Sequence, residues 1–275
     1  MKLLVFGVTG MLGHKVYETA KKKGIDVYGT SREPLGDGKV YSGIDITQKS
    51  SVESVVKKVK PDVVINCAGL IKPLCKDVAA IYTNSVAPHL IAGACSTYKS
   101  RMIHVSTDCV FSGSKGNYSE TDYPDALDLY GRSKLLGEIY DRPDVLTIRT
   151  SFIGKEPKEQ KYGLVDWFLS QKGEVNGYTN AHFTGLTNTA LAEVLLKLAE
   201  RAGINGLLHV GGEKWSKYDI LIMIKETFGL DTKINRYDGF FCDRSLDSSK
   251  LKSLGFRVPG MRKMIVELKA DYDSY

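Results

Sequence analysis

Tyr130 and Lys134 stand four residues apart in Leu129-Tyr130-Gly131-Arg132-Ser133-Lys134, a spacing that puts two side chains on one face of a helix. An ammonium beside a phenol draws the phenol's pKa down from about 10, so the pair predicts a tyrosine that serves as a general acid. Tyr-x-x-x-Lys also arises by chance on solvated helices. What favours the chemical reading is Ser106-Thr107-Asp108, which closes an apolar run from Arg101. Sheets of alternating strands and helices carry their chemistry at the carboxyl ends of strands. Thr107, Tyr130 and Lys134 then form one constellation of alcohol, phenol and ammonium.

A second feature comes earlier. Gly7-Val8-Thr9-Gly10-Met11-Leu12-Gly13 follows the apolar run Lys2 to Gly7 and opens a helical pattern. Glycines there let the backbone turn tightly and approach a pyrophosphate, and the amides of the helix N-terminus bind the anion. The spacing GxxGxxG differs from the GxGxxG fingerprint, but its place at the end of the first strand supports the reading. Gly7, Thr9, Gly10, Met11, Leu12 and Gly13 are the candidate contacts. The second strand ends at Thr30-Ser31-Arg32, where a site preferring NAD would carry an acidic residue. Ser31 and Arg32 instead suit the 2'-phosphate of NADP through charge-assisted hydrogen bonds, so NADP(H) is the expected cofactor and NAD(H) a usable one. A solvated surface arginine is the other reading of Arg32. Asp45 and Ile46 would flank the adenine, and Cys67, Ala68 and Gly69 would close the fourth strand at the cofactor crevice, with Ser106 at the end of the next.

These groups need a frame. Short apolar runs at Lys2 to Gly7, Ile25 to Thr30, Asp62 to Asn66, Arg101 to Ser106 and Val145 to Arg149 alternate with helical patterns to Gly24 and over Ser50 to Val59, Val78 to Tyr98 and Leu127 to Asp141. That rhythm predicts an α/β fold with a doubly wound parallel sheet of the Rossmann type, its strands buried on both faces. After Thr150 the rhythm stops. Gly154 to Gly185 reads as loops, a helix follows over Asn188 to Ala202, and Leu207 to Val210 can rejoin the sheet. The remainder, from Ser216, shows helices and the polar stretch Asp243 to Lys250, with too little strand pattern for a sheet of its own. The expected division is a nucleotide-binding domain of residues 1–153 and 186–211, with a small, mostly helical substrate-binding cap of residues 154–185 and 212–275.

Composition sets the remaining bounds. With 43% hydrophobic and 25% charged residues, the chain is that of a packed globular protein. Its 38 basic and 32 acidic residues leave a charge of +6 without a sustained basic run, which argues against a nucleic-acid partner and suits an anionic small molecule. Five cysteines without a CxxC pair indicate neither a disulfide framework nor a metal site. No apolar window reaches membrane-spanning length and no signal segment is apparent, so a cytoplasmic location away from membranes is expected.

The glycine motif, Asn66 to Gly69, Ser106 to Asp108 and Tyr130 to Lys134 together resemble the extended short-chain dehydrogenases/reductases, and the nearest branch resembles dTDP-4-dehydrorhamnose reductase. Val105 to Gly113, Tyr130 to Glu138, Arg149-Thr150-Ser151 and Ser245 to Lys250 extend the likeness over nearly the whole chain. The resemblance implies reduction of the C4 ketone of a nucleotide sugar, in deoxysugar or cell-surface polysaccharide biosynthesis. Hydride would come from a nicotinamide. Tyr130 would protonate the oxygen, Thr107 would hydrogen-bond it, and Lys134 would hold the ribose and tune Tyr130. Asn84 matches a family position near the cofactor, and bridging within a helix is its other reading. A homodimer is a further possibility that helix periodicity leaves open.

Departures bear on the substrate. Phe152 stands where the rhamnose reductases carry an indole, and Leu70 to Lys76 differs from their pattern. Candidates for the substrate pocket are Lys72, Asp108, Cys109, Phe152, His182, Thr184, Thr187 and Arg244. Sugar-nucleotide dehydratases follow the active-site threonine with Asp-Glu, whereas Asp108 precedes Cys109 here, which disfavours dehydration. Cys109 and His182 match positions used for proton shuttling in an epimerase-reductase, GDP-fucose synthase. A buried thiol and a loop histidine are the plain alternative. A non-catalytic reading also exists, because the regulatory subunit of methionine adenosyltransferase resembles the same branch.

Overall fold

A computed structural model describes residues 1–274; Tyr275, the last residue of the expected cap, lies outside the described residues. The first six strands are β1 (Lys2–Phe6), β2 (Asp26–Thr30), β3 (Val40–Tyr41), β4 (Val63–Asn66), β5 (Arg101–Val105) and β6 (Val145–Thr150), and all but the two-residue β3 follow the sequence rhythm. With Gly206–Val210 they make a seven-stranded sheet, in the order Gly206–Val210, β6, β5, β4, β1, β2, β3. Every pairing in it is parallel. The chain winds outward from β1 through β2 and β3, then crosses back to β4 on the other side of β1. The order reverses between β1 and β4, and in open α/β sheets that switch point is where a ligand crevice opens.

β1 shows why the sheet must be covered on both faces. Leu3 and Val5 pack with the helices α1 (Met11–Lys22) and Asn188–Ala199, while Leu4 and Phe6 pack with α2 (Lys49–Val59) and Ala87–Thr97. All four side chains are fully buried, each worth about 1.5–3 kcal/mol of removed apolar surface. The first apolar face runs on into the C-terminal part: Ile220, Ile224, Met264 and Leu268 share one continuous core with Leu146 and Ile148.

The helix anticipated over Val78 to Tyr98 runs without interruption from Val78 to Thr97, with a π turn at Tyr82–Val86 inside it. Pro88, just after that turn, has no amide to donate to the carbonyl one α-turn back. Two expectations are corrected. The helix anticipated over Leu127 to Asp141 is only Leu129–Leu136. Asp128 caps its start by accepting from the Gly131 amide at 2.9 Å. Gly137 ends it where a Cβ would stand 2.0 Å from the Asn84 carbonyl oxygen, so this helix presses against the π turn. Secondly, the region after Thr150 contains strands. Glu174–Tyr178 pairs with Lys233–Tyr237, and Ala181–Phe183 pairs with Trp215–Ser216 and Cys242–Asp243. These strands are two to five residues long and find partners far along the chain, so no local alternation announces them. Among the described residues no helix is long and apolar enough to cross a membrane.

Candidate active site

The crevice at the switch point has a volume of about 320 Å³. Its floor is the turn from β1 into α1. Gly7 has φ +84, and a Cβ there would stand 2.9 Å from the Cα and N of Ala68, so only glycine lets the turn lie against the end of β4. Gly13 packs α1 onto the same turn, where a Cβ would meet the Gly7 carbonyl oxygen at 2.2 Å. Gly10 begins α1 without any side-chain cap, and the first turn carries no acidic residue. The leading amides and the positive end of the helix dipole therefore remain available to an anion. These features fit a dinucleotide diphosphate.

Gly7, Thr9, Gly10, Ser31, Arg32, Asp45, Ile46, Cys67, Ala68 and Gly69 all line this crevice, as the sequence anticipated. Met11 and Leu12 are in the first turn of α1, and Leu12 is buried in the core. Arg32 is exposed, and its guanidinium has no protein partner among the described residues. The Ser31 hydroxyl donates to the Glu33 carbonyl at 2.6 Å. Asp45 accepts from the amide and hydroxyl of Thr47, at 2.9 and 2.7 Å. Thr30, Thr47, Thr83 and Lys158 also line the space and were not foreseen.

The candidate reacting groups meet at the end of β5. Tyr130 lies near enough to Thr107 for that hydroxyl to favour the phenol's ionised form. Thr107 Oγ1 also accepts from the Cys109 amide at 3.1 Å and donates to Asp108 Oδ1 at 3.2 Å. Lys134 Nζ donates to the Val105 carbonyl at 2.8 Å and lies 3.7 Å from where a Cβ on Gly69 would be, so it reaches the crevice wall. Burial lowers its ammonium to about 8, and Glu138 opposes the shift. The expected direction for Tyr130 is reversed. Burial pushes its phenol above the ordinary value, Cys109 adds to this, and the Thr107 hydroxyl opposes it. Lys134 is anchored on a strand-end carbonyl while the phenol turns towards Thr107, so their helical spacing does not by itself acidify the tyrosine.

Beneath this set is a buried ion pair. Glu138, just past the end of the helix that carries Lys134, accepts from Arg149 Nε at 2.9 and 3.2 Å and from Nη2 at 2.7 Å. It also accepts from Ser106 Oγ at 2.6 Å. Ser106, expected to touch the cofactor, thus spends its proton on Glu138. Asn84 is likewise occupied. Its amide donates to the Leu70 carbonyl at 3.0 Å and to Ser133 Oγ at 3.1 Å, while its oxygen accepts from the Leu70 amide at 2.8 Å. It ties the loop after β4 to the catalytic helix.

The candidate substrate residues divide. Asp108, Cys109 and Arg244 come together beside Thr107. Arg244 Nη1 is 3.8 Å from Cys109 Sγ, and its Nε donates to the Phe111 carbonyl at 2.9 Å. Burial raises the Asp108 carboxyl, opposed by Arg244 and Lys217. Burial and Asp108 push the Cys109 thiol up to about 12, which keeps it protonated. Lys217, absent from the sequence-based set, lies 4.0 Å over the Phe183 ring and acts on Asp108. It begins the helix Lys217–Phe228, and nothing in its local pattern marks it, because its neighbours come from other elements. His182 is paired beside Asp243, and its Nδ1 has no partner among the described residues. Phe152 is half-buried against the core.

Three candidates take other roles. Lys72 pairs with Asp128 at 2.7 Å on the surface, tying its loop to the start of the catalytic helix. Thr184 is buried and accepts from the Leu246 amide at 3.0 Å. Thr187 is fully buried and caps Asn188–Ala199, so it belongs to the core.

The family model described as the RmlD substrate binding domain matches residues 1–238. A probable low-salt glycan biosynthesis reductase of Haloferax volcanii is 34% identical over 229 residues, covering 78% of this chain and 75% of that protein. The chain belongs to the RmlD-like family of extended short-chain dehydrogenases/reductases. A dTDP-4-dehydrorhamnose reductase of Aggregatibacter actinomycetemcomitans is 30% identical, over 81% of this chain and 78% of that one. Methionine adenosyltransferase 2 subunit beta of Danio rerio is a relative too, 29% identical over 83% and 74%. Among solved structures, the dTDP-4-dehydrorhamnose reductase of Bacillus anthracis in complex with NADP superposes with a TM-score of 0.82, at 19% identity over 98% and 99% of the two chains. The likeness to that structure is one of fold. It confirms the Rossmann-type architecture read from the strand rhythm.

Proposed function

We propose that this chain is an NADPH-dependent reductase of a 4-keto nucleotide sugar, acting in deoxysugar or cell-surface polysaccharide biosynthesis. The observation that carries this reading is the juxtaposition of Tyr130 and Thr107 at the end of β5, beside a glycine-floored crevice that the unpaired Arg32 also lines. The bound nicotinamide supplies the hydride. The chain's residues do the rest. The α1 amides hold the diphosphate, Arg32 takes the 2'-phosphate, and Lys134 at the crevice wall suits a ribose hydroxyl. Tyr130, its pKa above the ordinary value, keeps its proton through the neutral range and delivers it to the ketone oxygen, which Thr107 orients by hydrogen bonding. Lys217 and Arg244 present positive charge on the substrate side, suited to the diphosphate of an activated sugar.

Cys109 supports reduction without epimerisation. A thiol held at about 12 is a poor base for removing a proton beside a carbonyl. The test is turnover of purified chain with NADPH and a panel of 4-keto nucleotide sugars in deuterated water. The expected result is loss of reduced-nicotinamide absorbance, abolished by Tyr130→Phe, with no solvent deuterium at the carbons flanking the ketone. Deuterium there would instead favour the epimerase-reductase reading. Tight NADPH binding with no turnover on any ketone would favour a regulatory subunit.

A further inference from the structure

Residues 155–163 form a loop tied at both ends. Glu156 Oε1 accepts from the Tyr162 amide at 2.7 Å and from the Gly163 amide, and the Glu156 amide donates to Asp166 Oδ2 at 2.9 Å. Its base rests on α1: a Cβ on Gly163 would stand 2.9 Å from the Met11 side chain. The apex, residues 157–160, is exposed.

Three lysines lie on this loop, and two are engaged. Lys155 lies over the Tyr272 ring, its Nζ 5.1 Å from the ring centre, and Lys161 pairs with Asp166 at 2.9 Å. Lys158 has no hydrogen bond or ion pair among the described residues, and it is the one residue of the loop that lines the crevice with Gly7, Thr9 and Gly10. Lys158 thus shares the crevice with the uncapped N-terminus of the twelve-residue α1. Both features attract an anion.

We propose that Lys158 is a cofactor-binding residue that clasps the diphosphate from above, on a loop held in place by Glu156. This rests on the dinucleotide reading of the crevice. The diphosphate is assigned over the 2'-phosphate because the loop is seated on Met11 at the start of α1, whereas Arg32 follows β2. The diphosphate is common to both dinucleotides, so Lys158 contributes to NADH and NADPH alike.

The experiment measures dissociation constants of NADPH and NADH by nicotinamide fluorescence for the wild-type chain, Lys158→Gln, Lys158→Arg and Arg32→Ala. Lys158→Gln is expected to weaken both dinucleotides about fivefold, as for a single partly exposed charge contact. Lys158→Arg should restore most of the affinity, and the wild-type advantage should shrink as salt rises. Unchanged binding in Lys158→Gln beside a wild-type chain that binds normally overturns the proposal alone, and so does a loss confined to NADPH. A wild-type chain that binds neither dinucleotide overturns the reading it rests on as well.

Discussion

Replacing Arg149 with methionine tests whether the platform under the catalytic residues depends on a buried ion pair. Arg149 and Glu138 are 2% and 0% exposed, joined by contacts of 2.7, 2.9 and 3.2 Å, and Glu138 also takes the Ser106 hydroxyl. Burying two charges costs about as much as their attraction returns, but removing one partner leaves the other charged in an apolar interior, at about 3–5 kcal/mol. Arg149 also lies 5.1 Å from the Phe111 ring centroid, so lost packing adds to the cost and the expected value is about 4 kcal/mol. In a chain of this length ~4 kcal/mol corresponds to a fall in Tm of roughly 8–10 °C. Glu138→Met alone should cost a similar amount. The double variant Glu138→Met/Arg149→Met removes both charges and should lose only about 1 kcal/mol, from the stranded Ser106 hydroxyl. Urea unfolding followed by circular dichroism reads all four chains. A double variant as unstable as the sum of its singles, or an Arg149→Met loss below about 1 kcal/mol, would refute the argument.

Two further outcomes are expected. Arg32→Ala should raise the dissociation constant of NADPH by about tenfold or more, the range of a charge-assisted phosphate contact, while changing that of NADH little; equal effects on both would show that the guanidinium does not read the 2'-phosphate. Lys134 is lowered from 10.5 to about 8 in the folded chain. Below pH 8 folded and unfolded chains both carry the proton and the burial penalty is fully felt. Between 8 and the ordinary value only the unfolded chain holds it, so stability rises with pH through that window, by up to ~3 kcal/mol. Relative to wild type, Lys134→Met should lack that rise in urea titrations between neutral pH and about pH 10, and parallel pH profiles would rule it out.

Much of the frame was legible because it is written in local, repeating signals. Five apolar runs predicted five strands of the parallel sheet, and Gly7 at the first strand's end marked the crevice, since a backbone turn against Ala68 tolerates no side chain. Thr107 and Tyr130 could be placed near one another in advance because strand ends and helix turns have fixed geometry. The direction of Tyr130's pKa could not: helical spacing brings Lys134 near, but burial and the pull of the Val105 carbonyl on the ammonium decide which effect wins. Ser106, Asn84 and Thr187 were chosen by position, and each proved to have its polar atoms occupied by partners far along the chain or in the core.

The sequence by itself determined the sheet, the glycine turn after β1 and the candidate reacting groups, because periodicity and turn chemistry act over a few residues. Only the tertiary structure decided the rest. Lys217 facing Asp108, Lys158 over the crevice and Arg149 under the catalytic helix depend on elements brought together from distant parts of the chain, and burial, which sets the charge on each group, exists only once they have met.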